Sequence, residues 1–319
     1  MKLAVAALSF AVALLANGAV AQDYKAPRTA FGHPSLEGTW NTQFILPLEA
    51  RADTPALTVS EAESKALAER IAAEVGAYAV NFFDPEVGDM LISSAAKGMA
   101  LVRGERRTRQ VVQPSDGRIP LSAAARGEVT FMDTILATNR HPPMAYDQPE
   151  QRPSWERCVT LQGAPPITVL NDVNPRMIVQ SRDHVVILTE YGGEARIIPF
   201  ADKHGPEVLR TSMGDSIARW EGQTLVVETV GLLPRDRMRV LPAMIVPPTA
   251  TVIERYTRVS ATELVYQYTI VDPATYTAPW LAEYSLYATK QPIYEFACHE
   301  GNYAMEGILR AARAAERGQ

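Results

Sequence analysis

Cysteine is scarce in this chain. Two in 319 residues, Cys158 and Cys298, exclude a disulfide-dense scaffold and a cysteine-rich zinc module. The five histidines, His33, His141, His184, His204 and His299, never fall two to four residues apart, so no local metal motif exists. H-E-x-x-H, a P-loop, a dinucleotide glycine pattern and a G-x-S-x-G elbow are all missing. No excess of positive charge is present: the formal net charge is −5, which gives nucleic acid or an anionic membrane surface nothing to hold. Beyond the first residues, no apolar run approaches the roughly 20 positions that a spanning helix needs.

What the chain does have begins with its leader. MKLAVAALSFAVALLANGAVAQ offers Lys2, a short apolar run broken by Asn17 and Gly18, and Ala19-Val20-Ala21, the pattern of a secretory signal peptide cleaved after Ala21. Export to the periplasm or beyond is therefore expected. In an oxidising compartment the two cysteines read first as a disulfide closing a long loop, and otherwise as two buried thiols. A hydrophobic content of 47% supports a proper core, and residues 22–319 are expected to form a single domain.

Two textures divide that domain. Residues 22–165 are dotted with proline and read as a wrapping segment with one clear helix. TVSEAESKALAERIAAEVG places Ser60 as N-cap and Glu63 three residues on, with Leu67, Ile71 and Val75 at helical spacing and Gly76 as the stop. PLSAAARGE suggests a further helical turn. Residues 176–290 instead carry eight β-rich runs, most of them joined by two to four turn residues, the signature of consecutive antiparallel hairpins. The expected fold is mainly β, an antiparallel up-and-down barrel, with a curved open sheet packed on the Ser60 helix as the alternative. Residues 301–317 read as a C-terminal helix with Ala304, Ile308, Ala311 and Ala315 on one face, capping the domain.

LEGTW at 36–40, a Gly-x-Trp on a first strand, resembles the lipocalin group and supports a calycin-like shape. A wider resemblance is carried by RRTRQVVQPSDGRIPLSAAAR, RPSWERCVTLQGAPP, MGDSIARWEGQTLVVETVGL, ERYTRVSATELVYQYTIVDPATYTAPW and IYEFACHEGNYAMEGILRAAR. These stretches are similar to a family of exported bacterial proteins frequent in proteobacteria and acidobacteria. The resemblance implies export and one integrated domain, but no reaction. It departs at MRVLPAMIVPPTAT, where the family has a histidine-containing segment; a more apolar ligand or another partner would follow.

The acid–base candidates are glutamates that alternation places on strand faces: Glu190, Glu228, Glu254 and Glu283. Glu190 stands out beside Tyr191 and a glycine-rich turn. In ACHEGNYAMEGILR, Asn302 can cap the last helix and Glu300 can sit at its positive end, whereas His299 has no local structural task. The expected catalytic set is His299, Glu190 and Tyr303, with Tyr276, Trp280, Tyr266 and Arg176 as binding residues. LNDVNPRM (170–177) reads as an Asx-turn that starts a strand, or as a head-group site. Three functions fit these residues. One is a cofactor-independent lyase, isomerase or hydratase acting on a small, largely apolar aromatic or isoprenoid-like molecule, with no metal. The others are a carrier of such a molecule and an envelope protein-interaction module.

Overall fold

The computed structural model describes residues 24–42, 45–79, 96–129, 146–152, 157–160, 163–167, 169, 174–206, 210–233, 238–239 and 244–318. The leader, His141, Asn171 and Asp172 lie outside them.

All eight β-rich runs are strands, because Val, Ile, Thr and Tyr alternate in them with polar positions and fit a pleated, half-buried surface. In chain order the strands are β1 (Gly38–Asn41), β2 (Thr58–Val59), β3 (Leu101–Val102), β4 (Glu105–Arg107) and β5 (Val111–Gln113). Next come β6 (Arg176–Gln180), β7 (His184–Thr189), β8 (Glu194–Pro199), β9 (Asp215–Glu221) and β10 (Thr224–Val230). The last are β11 (Met238–Arg239), β12 (Met244–Ile245), β13 (Thr251–Arg258), β14 (Glu263–Val271) and β15 (Trp280–Thr289). The main sheet runs β8-β7-β6-β1-β15-β14-β13-β10-β9, with β5 pairing β15 beside that path. Every neighbouring pair on the path is antiparallel.

The longer linker between the third and fourth runs marks the one place in this order where the two ends of the path face each other. An antiparallel path of nine strands ends with its two outermost strands pointing the same way, so β8 and β9 cannot form a hairpin. They meet through one isolated parallel bridge, Phe200 to Ala218, after a longer connection. Gly214 precedes β9 at φ +68, and a Cβ there would lie 2.6 Å from Thr229 Cγ2 and 2.7 Å from the Val230 carbonyl; only glycine fits that approach.

The inner face of the sheet is the core. Trp40, Ile178, Ile187, Ile198, Val227, Tyr256, Tyr266, Tyr268, Trp280 and Tyr284 belong to one buried cluster. At one end Leu36 is fully buried, its carbonyl accepting from Trp40 Nε1 at 2.8 Å, while the Arg258 guanidinium lies 5.3 Å from the Trp40 ring centroid.

The N-terminal half supplies cover. Helix α1 (Glu61–Ala79) is capped as expected: Glu63 accepts from the Ser60 N–H at 2.9 Å, and the Glu63 N–H donates to Ser60 Oγ at 3.3 Å. It continues past Gly76 to Ala79, because an isolated glycine costs only about 1 kcal/mol inside a helix. The helix packs Leu67, Ala68, Ile71 and Ala72 with Ile45 and Met99 in a satellite cluster of its own, so the sheet is not packed on it as the alternative required. Residues 123–129 are helical, from inside the PLSAAARGE stretch to one residue beyond it.

Helix α2 (Ala304–Arg317) buries no residue, which corrects its expected role as a cap. Its half-covered side is Met305, Ile308, Leu309 and Ala312, one step round from the expected alanine face. It is held instead by a tether: Cys158 and Cys298 form a disulfide, and the Arg313 guanidinium donates to the Tyr146 carbonyl at 2.7 Å. Closing a loop of this size is worth about 5 kcal/mol in the chain-entropy model. Here reduction also frees a helix with nothing buried, which offsets much of that term. Reduced protein should therefore keep its sheet while trypsin cuts rapidly at Arg310 and Arg313, and a loss of near-ultraviolet dichroism on reduction would contradict this. Among the described residues, no helix is long and apolar enough to cross a membrane.

Candidate functional site

Strand parity aims a set of polar groups at the inner face. Glu254 on β13 is fully buried, between Val252 and Tyr256 on the same face. Arg196 on β8 reaches it with both terminal nitrogens, Nη1 to Oε1 at 3.0 Å and Nη2 to Oε2 at 2.6 Å. Tyr256 and Tyr266 also donate to Glu254 Oε1, at 2.9 and 2.7 Å. The same guanidinium donates to Ser216 and Thr229 hydroxyls, so one side chain links β8, β9, β10 and β13. Burial alone would pull the Arg196 pKa down, but the Glu254 carboxylate outweighs it and pushes it up.

Around this pair runs a string of rings. Tyr266 lies 4.9 Å from Tyr256, 5.0 Å from Tyr284 and 5.8 Å from Tyr268, centroid to centroid. Trp280 continues the string, 5.6 Å from Tyr268 and 5.8 Å from Tyr276, both edge-on. Burial first, and the Glu254 charge second, raise the Tyr256 and Tyr266 pKa well above the ordinary phenol value. Burial raises Tyr268 and Tyr284 as well. These phenols are hydrogen-bond donors, not bases, near neutral pH. Arg176, 1% exposed, stands close enough to Tyr284, Tyr256 and Tyr266 to feel their charge, while burial draws its own pKa down.

All four expected binding residues thus lie buried on the inner face or against it. Tyr276 donates to the Ile245 carbonyl. Among the described residues, two groups in the string find no hydrogen-bond partner: Tyr268 Oη and Trp280 Nε1, both buried.

The expected catalytic set lies elsewhere. Val185, Ile187 and Thr189 take the inner face of β7, so Glu190 falls on the opposite parity and its carboxylate accepts from the Tyr294 N–H at 2.7 Å. His299 is exposed in the turn before α2, and Tyr303 is 81% exposed. Among the described residues no hydrogen bond joins the three. The N-cap of α2 is Tyr303, one residue after the expected Asn302, which still accepts from the Met305 N–H at 3.4 Å and donates to Cys158 Sγ. Asn174 Oδ1 accepts from the Tyr191 N–H at 3.1 Å, which ties the start of β6 to the end of β7 rather than closing a local Asx-turn, and residues 170–173 lie outside the described residues.

Glu283, Glu228, His204 and His33 make their contacts away from the inner face. Glu283 binds Arg107 and Gln267. His204 bridges Asp215 Oδ2 at 3.1 Å and Glu228 Oε1 at 3.2 Å, tying the connection after β8 to β9 and β10. His33 stacks on Trp220 with ring centroids 5.5 Å apart. Among the described residues no three His, Cys, Asp or Glu side chains are grouped as a metal site.

No family model, curated protein or solved structure matches the chain. The site therefore rests on geometry. Sequence reasoning missed Arg196 because ARIIPF alternates without contrast: Arg196 and Ile198 point in, while Ile197 is 67% exposed. The available signal was Glu254, a carboxylate in register with Val252 and Tyr256.

Proposed function

We propose that this is an exported binding protein that holds one small, largely apolar molecule inside the rolled sheet. In this reading the nine-stranded path closes where Phe200 meets Ala218, giving a calycin-like barrel of the kind that the LEGTW resemblance to the lipocalin group implies. The disulfide fits an oxidising compartment, and we assign the protein to the periplasm or the exterior, without membrane insertion once the leader is cleaved.

The observation that carries the reading is the unpartnered pair, Tyr268 Oη and Trp280 Nε1. Leaving a buried donor without a partner costs roughly 1–3 kcal/mol. Two of them, on adjacent rings in an apolar setting, are what a ligand with one acceptor oxygen would satisfy. A carrier is favoured over an enzyme because Glu254, the carboxylate at the centre, already accepts four hydrogen bonds. The acid–base reading keeps one observation in its favour: Tyr266 connects the carboxylate to the ring string and could pass a proton along that line.

Titration with 1-aminoanthracene, a small lipophilic fluorophore, tests the carrier. One probe should bind per chain with blue-shifted emission, and β-ionone, an apolar ketone, should displace it. Turnover of such a ketone would move the assignment to the enzyme.

A further inference from the structure

A stretch of the chain packs against the same rings. Ile167 is 1% exposed, and its N–H donates to Tyr266 Oη at 2.9 Å while its carbonyl accepts from Tyr284 Oη at 2.8 Å. Tyr266 and Tyr284 are direct cross-strand partners on β14 and β15. Their ring centroids stand 5.0 Å apart, and Tyr266 is itself anchored on Glu254. Two rigid phenols thus present one acceptor and one donor to the two polar groups of a single residue. Buried peptide groups need partners, but most find them in other main chain. Here side chains projecting from the sheet do the reading, as they would for a ligand.

We propose that Tyr266 and Tyr284 form a recognition site for a secondary amide next to a branched apolar group, and that Ile167 is its internal occupant. The ligand class is a short hydrophobic peptide or an N-acyl amino acid amide. It supplies the N–H that Tyr266 accepts, the C=O that Tyr284 engages, and an apolar side chain in place of that of Ile167. At these two phenols a ketone can engage Tyr284 but offers nothing to Tyr266, and an ester lacks the N–H, so the pair prefers the amide to both, while a ketone keeps Tyr268 and Trp280 as its donors. The occupant is held from the N-terminal side by the Gly163 N–H, which donates to Glu194 on β8 at 2.6 Å. This inference rests on the inner face being a ligand site and adds an amide contact beside the Tyr268 and Trp280 donors.

The test uses the full, disulfide-intact chain with Ile167→Gly and the probe N-acetyl-isoleucine N-methylamide. Calorimetry should show one probe bound per chain, at least tenfold tighter than in the wild type, and the thermal midpoint should rise by several degrees. Adding Tyr284→Phe should weaken binding about tenfold. So should replacing the Ile N–H of the probe by an ester oxygen. Binding that ignores both changes, or no binding to the folded variant, overturns the proposal. If Ile167→Gly does not fold, hydrogen exchange at the Ile167 amide of the wild type decides. Protection should fall as the probe takes its place, and unchanged protection at saturating probe overturns it. Because 1-aminoanthracene needs no amide, its binding without amide selectivity would sink this inference alone, whereas failure of both probes sinks the carrier as well.

Discussion

Replacing Arg196 by methionine should lower the stability of the fold by about 3–5 kcal/mol, the usual result of leaving one member of a buried ion pair without its partner. The side chain is 2% exposed and Glu254 0%, so water cannot take over the role of the guanidinium. Methionine keeps most of the volume, which separates charge from packing. The loss is expected near the upper end, since Arg196 also carries the hydroxyls of Ser216 and Thr229 and so joins the two ends of the sheet path. Arg196→Met combined with Glu254→Gln should cost clearly less than the two single changes summed, because the second removes the charge that the first abandons. Urea unfolding of the four proteins measures this, and additive costs would show that the pair does not act as a unit.

The second large effect is alkaline unfolding. Four inner phenols, Tyr256, Tyr266, Tyr268 and Tyr284, have pKa values raised by burial above the ordinary value of about 10. A raised acid holds its proton in the folded state after the unfolded chain has released it. Its contribution is therefore fully present below about pH 10 and is lost as pH climbs toward the folded-state value. Each such group removes up to about 1.4 kcal/mol per pH unit in that window, so four together remove up to about 5 kcal/mol per unit. Against a domain stability of about 5–15 kcal/mol, unfolding should be complete one to three units above pH 10. Absorbance at 295 nm should show these phenols ionising in one step with the loss of near-ultraviolet dichroism. Gradual ionisation in a protein that stays folded would contradict the burial of the cluster.

How much of this was legible follows from which physical signal each element carries. The eight strands from 176 to 289 announce themselves by β-branched alternation and short turns, and the capping box of α1 by its Ser60–Glu63 spacing. The disulfide followed from an even pair of cysteines in a chain whose leader reads as a signal peptide. The parallel meeting of β8 with β9 did not, because it depends on β1 inserting between β6 and β15 and making the path odd. Glu190 outranked Glu254 in the sequence because it neighbours a glycine turn. Parity decides the other way, since one residue of offset sends a side chain to the opposite face. Ile167 carries no sequence signal, because two prolines and an isoleucine in a loop do not say which hydroxyls will bind their backbone.

The most direct test of the carrier is a comparison of β-ionone affinity, by displacement of 1-aminoanthracene, between the wild type and the Tyr268→Phe/Trp280→Phe double variant. Both substitutions delete a donor that has no partner among the described residues, so the variant should fold with its stability largely kept, the lost indole volume aside. The account predicts one saturable site in the wild type and at least a tenfold weaker hold on the ketone in the variant. Equal affinity in the two proteins, or no saturable site in a folded wild type, would contradict it.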